Sequence, residues 1–397
     1  MTGGTISTFR SRGWNIPSAY YGLGTFVSLA GRVRSAVATP VIVTGRIVTP
    51  DQAERILESG AADLVGMTRA LIADPDLPTK ARNQQPEQIR VCMGSNEGCI
   101  DRLYFGLPIG CVQNPVVGRE QSWGNFNPAT TPRHVVVIGG GPAGLETARV
   151  AASRHHKVTL LERDSELGGA IRIAARASGW ENYLQCVAWL ERQVRELDID
   201  IQLETDATTN LIRSLSPDAI VVATGAEPRR PDLPGVDLPH VVTVADILSG
   251  STAPSGRSVV LDETGYTPGV KTADTLSQWG YDVEIVTRQY ALGEDIGTTI
   301  RAVLYERLLR AGVRITTLHT PVEITTSGVR LMHVLTDEEH FIEADTVVLS
   351  SSGIGRDALH RELVEGNKYE LHLVGDAFAP RHLRHAMVDG ARTGRAL

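Results

Sequence analysis

Three stretches of this 397-residue sequence carry residue types that could do chemistry. The first is Gly139-Gly140-Gly141-Pro142-Ala143-Gly144, which follows the apolar run His134 to Ile138 and opens a helical pattern from Leu145 to Ala152. Glu162 closes the next apolar run. In such a turn Gly139 permits the sharp bend, Gly141 lets the backbone approach a pyrophosphate, and Gly144 lets helix and strand pack closely. The helix start offers free N–H groups and positive potential to the phosphates, while Glu162 can accept both hydroxyls of an adenosine ribose. A dinucleotide is the expected ligand. The second stretch, Val260 to Gly269, repeats the strand-turn-helix setting with only two glycines, four apart, and with Asp262 and Glu263 in the turn. Those carboxylates repel a phosphate and Pro268 removes a donor, so NAD(P)H binding there stays open against a vestigial fold or an adenosine-nucleotide site. The third stretch holds Cys92, Cys99 and Cys111, with Ser95 between the first two.

The elements that must position these residues follow from period and punctuation. Pro40 to Gly45 reads as a short strand, Thr49 as an N-cap, Pro50 as the first helical residue, and Asp51 to Ser59 as a helix stopped by Gly60. A second strand follows at Ala62 to Met67, so residues 27 to 67 read helix, strand, helix, strand, which is parallel α/β grammar. Polar, proline-bearing residues 74 to 88 break the pattern ahead of the cysteines, and a second loose stretch spans 121 to 133. Beyond it, Val135 to Glu162 and Val259 to Val286 each read strand, helix, strand over about the same length, which predicts two nucleotide-binding folds. The second sits inside the first if the closing strand Glu370 to Val374 returns to the first sheet, as the Gly375-Asp376 pair after it suggests. The resulting domain reading is 1–85, 86–131, 132–230 with 345–397, and 231–344.

Composition excludes several classes. With 39 basic and 46 acidic residues the formal charge is −7, a poor footprint for a nucleic-acid binder. No apolar run approaches a membrane span, and ordinary hydrophobic and charged fractions argue against wholesale disorder. Four cysteines in so long a chain are no disulfide scaffold, and residues 1–30 lack the apolar core of a signal peptide, so the expected location is the cytoplasm.

Leu167-Gly168-Gly169, Val222-Ala223-Thr224-Gly225 and Val374-Gly375-Asp376-Ala377, taken with the glycine turn, resemble the flavoprotein reductases with two dinucleotide-binding domains. The resemblance implies FAD on Gly139, Gly141, Gly144, Glu162, Gly169, Thr224, Gly225, Gly375 and Asp376. The cysteine loop narrows it further. Cys92, Cys99 and, after eleven intervening residues, Cys111 match the cluster loop of the iron–sulfur flavoenzymes typified by 2,4-dienoyl-CoA reductase and trimethylamine dehydrogenase. That resemblance implies an iron–sulfur cluster, probed by one departure: Ser95 stands where the family has its second ligand. A serine oxygen is harder and far less acidic than a thiol with a pKa of about 8.5, so an altered loop without metal is the rival reading. Cys186, on the helix after Gly179, reads as a small core residue.

The N-terminal region is similar to the end of the same family's TIM barrel. Loops after the last two barrel strands commonly build a phosphate site, which in this family holds FMN. The resemblance assigns that role to Gly45, Arg46, Gly66, Met67, Thr68 and Arg69, with Thr2-Gly3-Gly4-Thr5 as the end of strand six. The predicted fold class is therefore α/β: part of a TIM barrel (about strands 6–8), a cluster-type loop, then two nested Rossmann-like domains. Only about 90 residues precede Cys92, and two or three strands cannot close a barrel. The implied partner is a chain supplying the front of the barrel and its share of the FMN site, with an external electron carrier as a further partner. The expected function is that of an oxidoreductase subunit passing electrons between FAD, the loop and FMN. A freestanding FAD-dependent NAD(P)H oxidoreductase and a non-catalytic scaffold remain the alternatives.

Overall fold

The computed structural model describes residues 8–365 and 369–397. The Thr2 to Thr5 motif lies outside them. The chain divides into two compact units, one built from residues up to Arg172, Asn182–Ala226 and Gly355–Leu397, the other from Ile173–Glu181 and Glu227–Ile354.

The first unit begins with the barrel-like segment. Strands β1 (Ile42–Thr44) and β2 (Leu64–Gly66) pair in parallel, with the helix Pro50–Glu58 crossing between them. The helix starts where capping chemistry says it should: the Thr49 hydroxyl accepts the Gln52 N–H at 3.2 Å, and Pro50 fills the first position. Val43, Phe26 and Ile56 pack under the pair, whereas Ile42 and Leu64 on its other side are each 54% exposed. Parallel strands normally have both faces covered.

A five-stranded sheet follows in the same unit: β3 (His134–Ile138), β4 (Lys157–Leu161), β5 (Ile199–Gln202), β6 (Ala219–Val222) and β17 (Glu370–Leu373), in the order β17-β6-β3-β4-β5 and parallel throughout. In its centre the runs Val135 to Ile138 and Ala219 to Val222 are wholly apolar because helices cover both faces, and Val135, Val136, Val137, Ile220 and Val222 are all fully buried. Each such side chain contributes roughly 1.5–3 kcal/mol. The closing strand returns as the sequence suggests: Leu371 and Leu373 stand opposite Ile220 and Val222.

The chain leaves this unit through β7 (Ala226–Pro228). The second unit holds a parallel sheet of β8 (Val241–Thr243), β9 (Arg257–Asp262), β10 (Asp282–Thr287), β11 (Arg314–Thr316) and β15 (Thr346–Ser350), ordered β11-β10-β9-β15-β8. An antiparallel sheet, β12 (His319–Thr325), β13 (Gly328–His333) and β14 (Glu339–Glu343), precedes β15. The chain returns through β16 (Gly353–Gly355), which pairs with β7. Among the described residues no helix is long and apolar enough to cross a membrane.

Candidate dinucleotide and thiol sites

In the first sheet the chain moves one way from β3 to β4 and β5, then jumps to the other side of β3 for β6 and β17. The carboxyl ends of β3 and β6 therefore flank a topological switch point, the place where open α/β sheets bind ligands. Ile138 and Val222 end side by side, and the Ala223 N–H donates to the Ile138 carbonyl at 2.8 Å. Gly139, at φ +109°, turns so tightly here that a Cβ would sit 2.4 Å from the Ala223 oxygen. A Cβ on Gly144 would lie 1.9 Å from the Gly139 oxygen, so the helix Pro142–Ser153 can start this close to its strand only with glycine there. Gly141 is different. It sits at the helix N-cap with ordinary extended dihedrals, and a Cβ on it would meet nothing within 4 Å. Its glycine character leaves open space above the helix start rather than serving the turn.

The other predicted residues gather around that space. Glu162, nearly buried at the end of β4, accepts the Gly140 N–H at 2.5 Å and the Asp164 N–H at 2.9 Å. Gly168 donates to the Gly140 carbonyl at 2.8 Å, which lays Gly169 over Gly141, 3.3 Å from a would-be Cβ to its Cα. From the opposite side Gly375, at φ +62°, packs so near the helix start that a Cβ would be 2.7 Å from that of Ala143. This close fit brings Asp376 to the same end of the sheet. Burial pushes the Asp376 carboxyl upward, opposed by the Arg381 N–H it accepts at 3.0 Å. Thr224 hydrogen-bonds through its hydroxyl to the Arg356 carbonyl, and Gly225 (φ +74°) accepts the Arg356 N–H, with open space where its side chain would be. The final helix, Leu383–Ala396, lies against Pro142–Ser153 through Gly390 and Gly394, whose missing side chains admit the Ala143 and Thr147 carbonyls. A cradle of free space, glycine backbone and an unblocked helix N-terminus fits a dinucleotide pyrophosphate.

The N-terminal site residues converge at the ends of β1 and β2. Gly45 (φ +117°) passes beneath Phe26, and Arg46 (φ +54°) turns its buried guanidinium to the Ser18 carbonyl at 2.6 Å. Its Nε is buried without a partner. Gly66 ends β2, Met67 and Thr68 follow it, and Arg69 donates to Asn96 Oδ1 at 2.6 Å and to the Pro17 carbonyl at 2.8 Å. Burial lowers the Arg46 pKa, the neighbouring Arg69 lowers it further, and Cys92 acts in the opposite direction. The arginines thus join the strand ends to the cysteine loop. Arg46 and Arg69 place two guanidinium groups at these strand ends, the residues the resemblance assigns to a flavin phosphate.

Cys92, Ser95, Cys99 and Cys111 line one cavity, with Arg69 and Asn96 at its wall. Gly98 makes the two limbs of the loop meet, for a Cβ there would come 2.5 Å from the Val112 nitrogen. Burial pushes the Cys99 thiol up to about 12 and raises Cys111 as well, while Arg69 and Arg90 respectively work against this. Among the described residues no three His, Cys, Asp or Glu side chains converge tightly enough for a single metal ion. Cys186 is buried on the helix Tyr183–Glu196, its thiol also pushed up to about 12 by burial, as a core cysteine should be. Asn96 is the residue that sequence reasoning overlooked. It stands at φ +63°, tolerable for asparagine, and joins Arg69 to the Ile16 carbonyl. An asparagine between two glycines in a cysteine loop is a readable turn signal.

In the second unit the carboxylates of the glycine-poor turn do not stand bare. Asp262 is buried and accepts from the Thr264 N–H and hydroxyl at 3.1 and 2.8 Å and from the Ser350 hydroxyl at 3.2 Å, and burial raises its pKa. Glu263 pairs with Arg229 at 2.6 Å. Glu263 is thus paired, and burial favours the uncharged form of Asp262, whose Oδ2 has no partner, so their repulsion of a phosphate is weaker than the sequence suggests.

Known proteins resemble this chain along most of its length. The Pyridine nucleotide-disulphide oxidoreductase family matches residues 117–209 and 177–372, and the NADH:flavin oxidoreductase / NADH oxidase family matches 14–88. A metal reductase of Desulforamulus reducens is 34% identical over 92% of this chain and 58% of its own length. An N,N-dimethylglycine/sarcosine dehydrogenase of Chromohalobacter salexigens is 39% identical over 84% of this chain and 49% of its own. The solved 2-naphthoyl-CoA reductase complex superposes with a TM-score of 0.90 at 30% identity, covering 96% of this chain and 57% of that one. The chain thus spans about half to three fifths of the length of these relatives. It belongs to the pyridine nucleotide-disulphide oxidoreductase family, among the flavin-dependent oxidoreductases that join this fold to an NADH:flavin oxidoreductase barrel.

Proposed function

We propose that this chain is the electron-carrying portion of a flavin-dependent oxidoreductase. FAD sits at the β3/β6 switch point, the thiol loop carries an iron–sulfur cluster, and an FMN phosphate lies at the ends of β1 and β2. The observation that carries the reading is the meeting of Gly139, Gly141, Glu162, Gly169, Gly225 and Gly375 around open space at the start of the helix Pro142–Ser153. The flavins and the cluster, when bound, supply one- and two-electron redox chemistry. The chain's own residues bind and orient. The N–H groups at the helix start face the pyrophosphate, Glu162 faces the adenosine ribose while fixing the turn through Gly140, and Asp376 lies beside the unblocked start of the helix Leu383–Ala396.

Barrel strands beyond the described residues, from a second chain or a longer form of this one, complete the FMN site. The exposed Ile42 and Leu64 on the β1-β2 pair support this, because parallel strands want cover on both faces. The pairing of Glu263 with Arg229 and the burial that raises the Asp262 pKa leave less negative charge at this turn, which supports a pyridine nucleotide or other adenosine nucleotide in the second unit. The substrate is chosen by residues elsewhere in the barrel. Anaerobic reductive titration of the reconstituted protein tests the reading. Uptake of more electrons per chain than FAD alone accepts, with a cluster signal appearing on reduction, is the expected result. Uptake by FAD alone would reduce the chain to a simple flavoprotein.

A further inference from the structure

Ser95 occupies a position whose chemistry is unspent. It is 8% exposed and lines the same cavity as Cys92, Cys99 and Cys111. It sits between two left-handed residues, Gly94 at φ +75° and Asn96 at φ +63°, so the backbone reverses on both sides of it. The second reversal is fixed from outside by Arg69 and the Ile16 carbonyl, and Gly94 is held tightly, since a Cβ there would be 3.2 Å from the Ala19 nitrogen and from Arg46 Nη1. The loop is thus shaped to hold one small residue at the cavity. Ser95 thus stands at the cavity wall beside the three cysteines, where its hydroxyl is available to a group held there.

We propose that Ser95 Oγ is the ligand of one iron of a four-iron cluster whose other three irons are held by Cys92, Cys99 and Cys111, and that this iron alone is labile. The inference rests on reading the thiol loop as a cluster site. An alkoxide is a hard donor that favours ferric over ferrous iron, so the Ser95 iron is held least well whenever it is ferrous. Oxidation by ferricyanide then takes [4Fe–4S]2+ to [3Fe–4S]+ with release of one Fe2+ and one electron, the electron passing to ferricyanide and Ser95 Oγ taking a proton from water. Restoring the cube requires Fe2+ and one electron from a reductant such as dithionite, and loss of that proton.

The test uses the full chain and its Ser95→Cys and Ser95→Ala variants, each reconstituted anaerobically with iron and sulfide. The readouts are iron and sulfide content and an EPR-monitored ferricyanide titration. The parent should hold four irons, yield a three-iron signal on oxidation, and lose its iron at least about tenfold faster than Ser95→Cys, as expected when a soft thiolate replaces the oxygen. It should take back one 57Fe2+ after reduction, and Ser95→Ala should hold three irons before any oxidant is added. Equal iron loss by the parent and Ser95→Cys, or a fourth iron held as well by Ser95→Ala as by the parent, overturns the role of Ser95 and leaves the cluster reading standing. Failure of all three proteins to take up iron and sulfide, Ser95→Cys included, overturns the cluster reading and the proposal together.

Discussion

Replacing Gly141 with valine separates binding from folding. The Gly141 dihedrals, φ −76° and ψ 179°, are open to any residue, and a Cβ would meet no atom within 4 Å. Losing glycine at an N-cap costs about 1 kcal/mol, while the stiffer unfolded chain returns roughly 0.4–1 kcal/mol. The apoprotein should therefore keep its stability to within about 1 kcal/mol, a shift in Tm of a few degrees at most. Cofactor binding should behave otherwise. The valine branches fill the space through which a pyrophosphate reaches the N–H groups of the turn, and two lost hydrogen bonds to a charged phosphate are worth about 3–6 kcal/mol. That predicts FAD affinity weaker by at least about 100-fold. Calorimetric FAD titration of both apoproteins, beside their unfolding curves, provides the assay. FAD should raise the Tm of the parent and leave that of Gly141→Val almost unchanged. A folded Gly141→Val protein with parental FAD affinity would refute the placement of the pyrophosphate.

Gly144→Ala should do the reverse: its Cβ would be 1.9 Å from the Gly139 oxygen, so chemical denaturation should show a loss of about 1–3 kcal/mol or more, with or without cofactor. Glu162→Ala removes the acceptor of the Gly140 and Asp164 N–H groups and should lower both apoprotein stability and FAD affinity, each by about 1–3 kcal/mol in unfolding and titration experiments. Burial, with His382, Arg381 and Arg384 nearby, pushes His385 down to about 4. The unfolded chain then binds its proton first, so this contribution is intact above about pH 6.5 and is lost as the pH falls toward 4. The acid-side fall in Tm should be shallower in His385→Gln, and identical pH profiles would show that His385 does not carry this pH dependence.

What could be read from sequence was what local chemistry determines. Thr49-Pro50 and Gly60 bracket a helix without tertiary help, and the apolar run at Val135 to Ile138 before a glycine turn reads as a strand, which the structure places inside a parallel sheet. The return of β17 to β6 was readable because a glycine-aspartate pair followed an apolar run, a spacing that needs a sheet end to serve. The strands at 40–45 and 62–67 came out shorter, as β1 and β2, because Pro40 and Ala62 lack ladder partners among the described residues. Asp262 and Glu263 misled in degree: Ser350, which donates to Asp262, and Arg229, which pairs with Glu263, lie far along the chain, and only folding brings them together. The same holds for Arg46 and Arg69, whose types pointed to a phosphate but whose reach to Ser18, Pro17 and Asn96 depends on tertiary structure.

The most direct test of the dinucleotide site is the identity and amount of flavin that the protein retains. After saturation with a mixture of FAD and FMN, removal of free flavin and acid release, chromatography should find FAD at close to one per chain, bound at the β3/β6 switch point and lost in Gly141→Val. Retention of no flavin, or of FMN alone, would contradict the assignment.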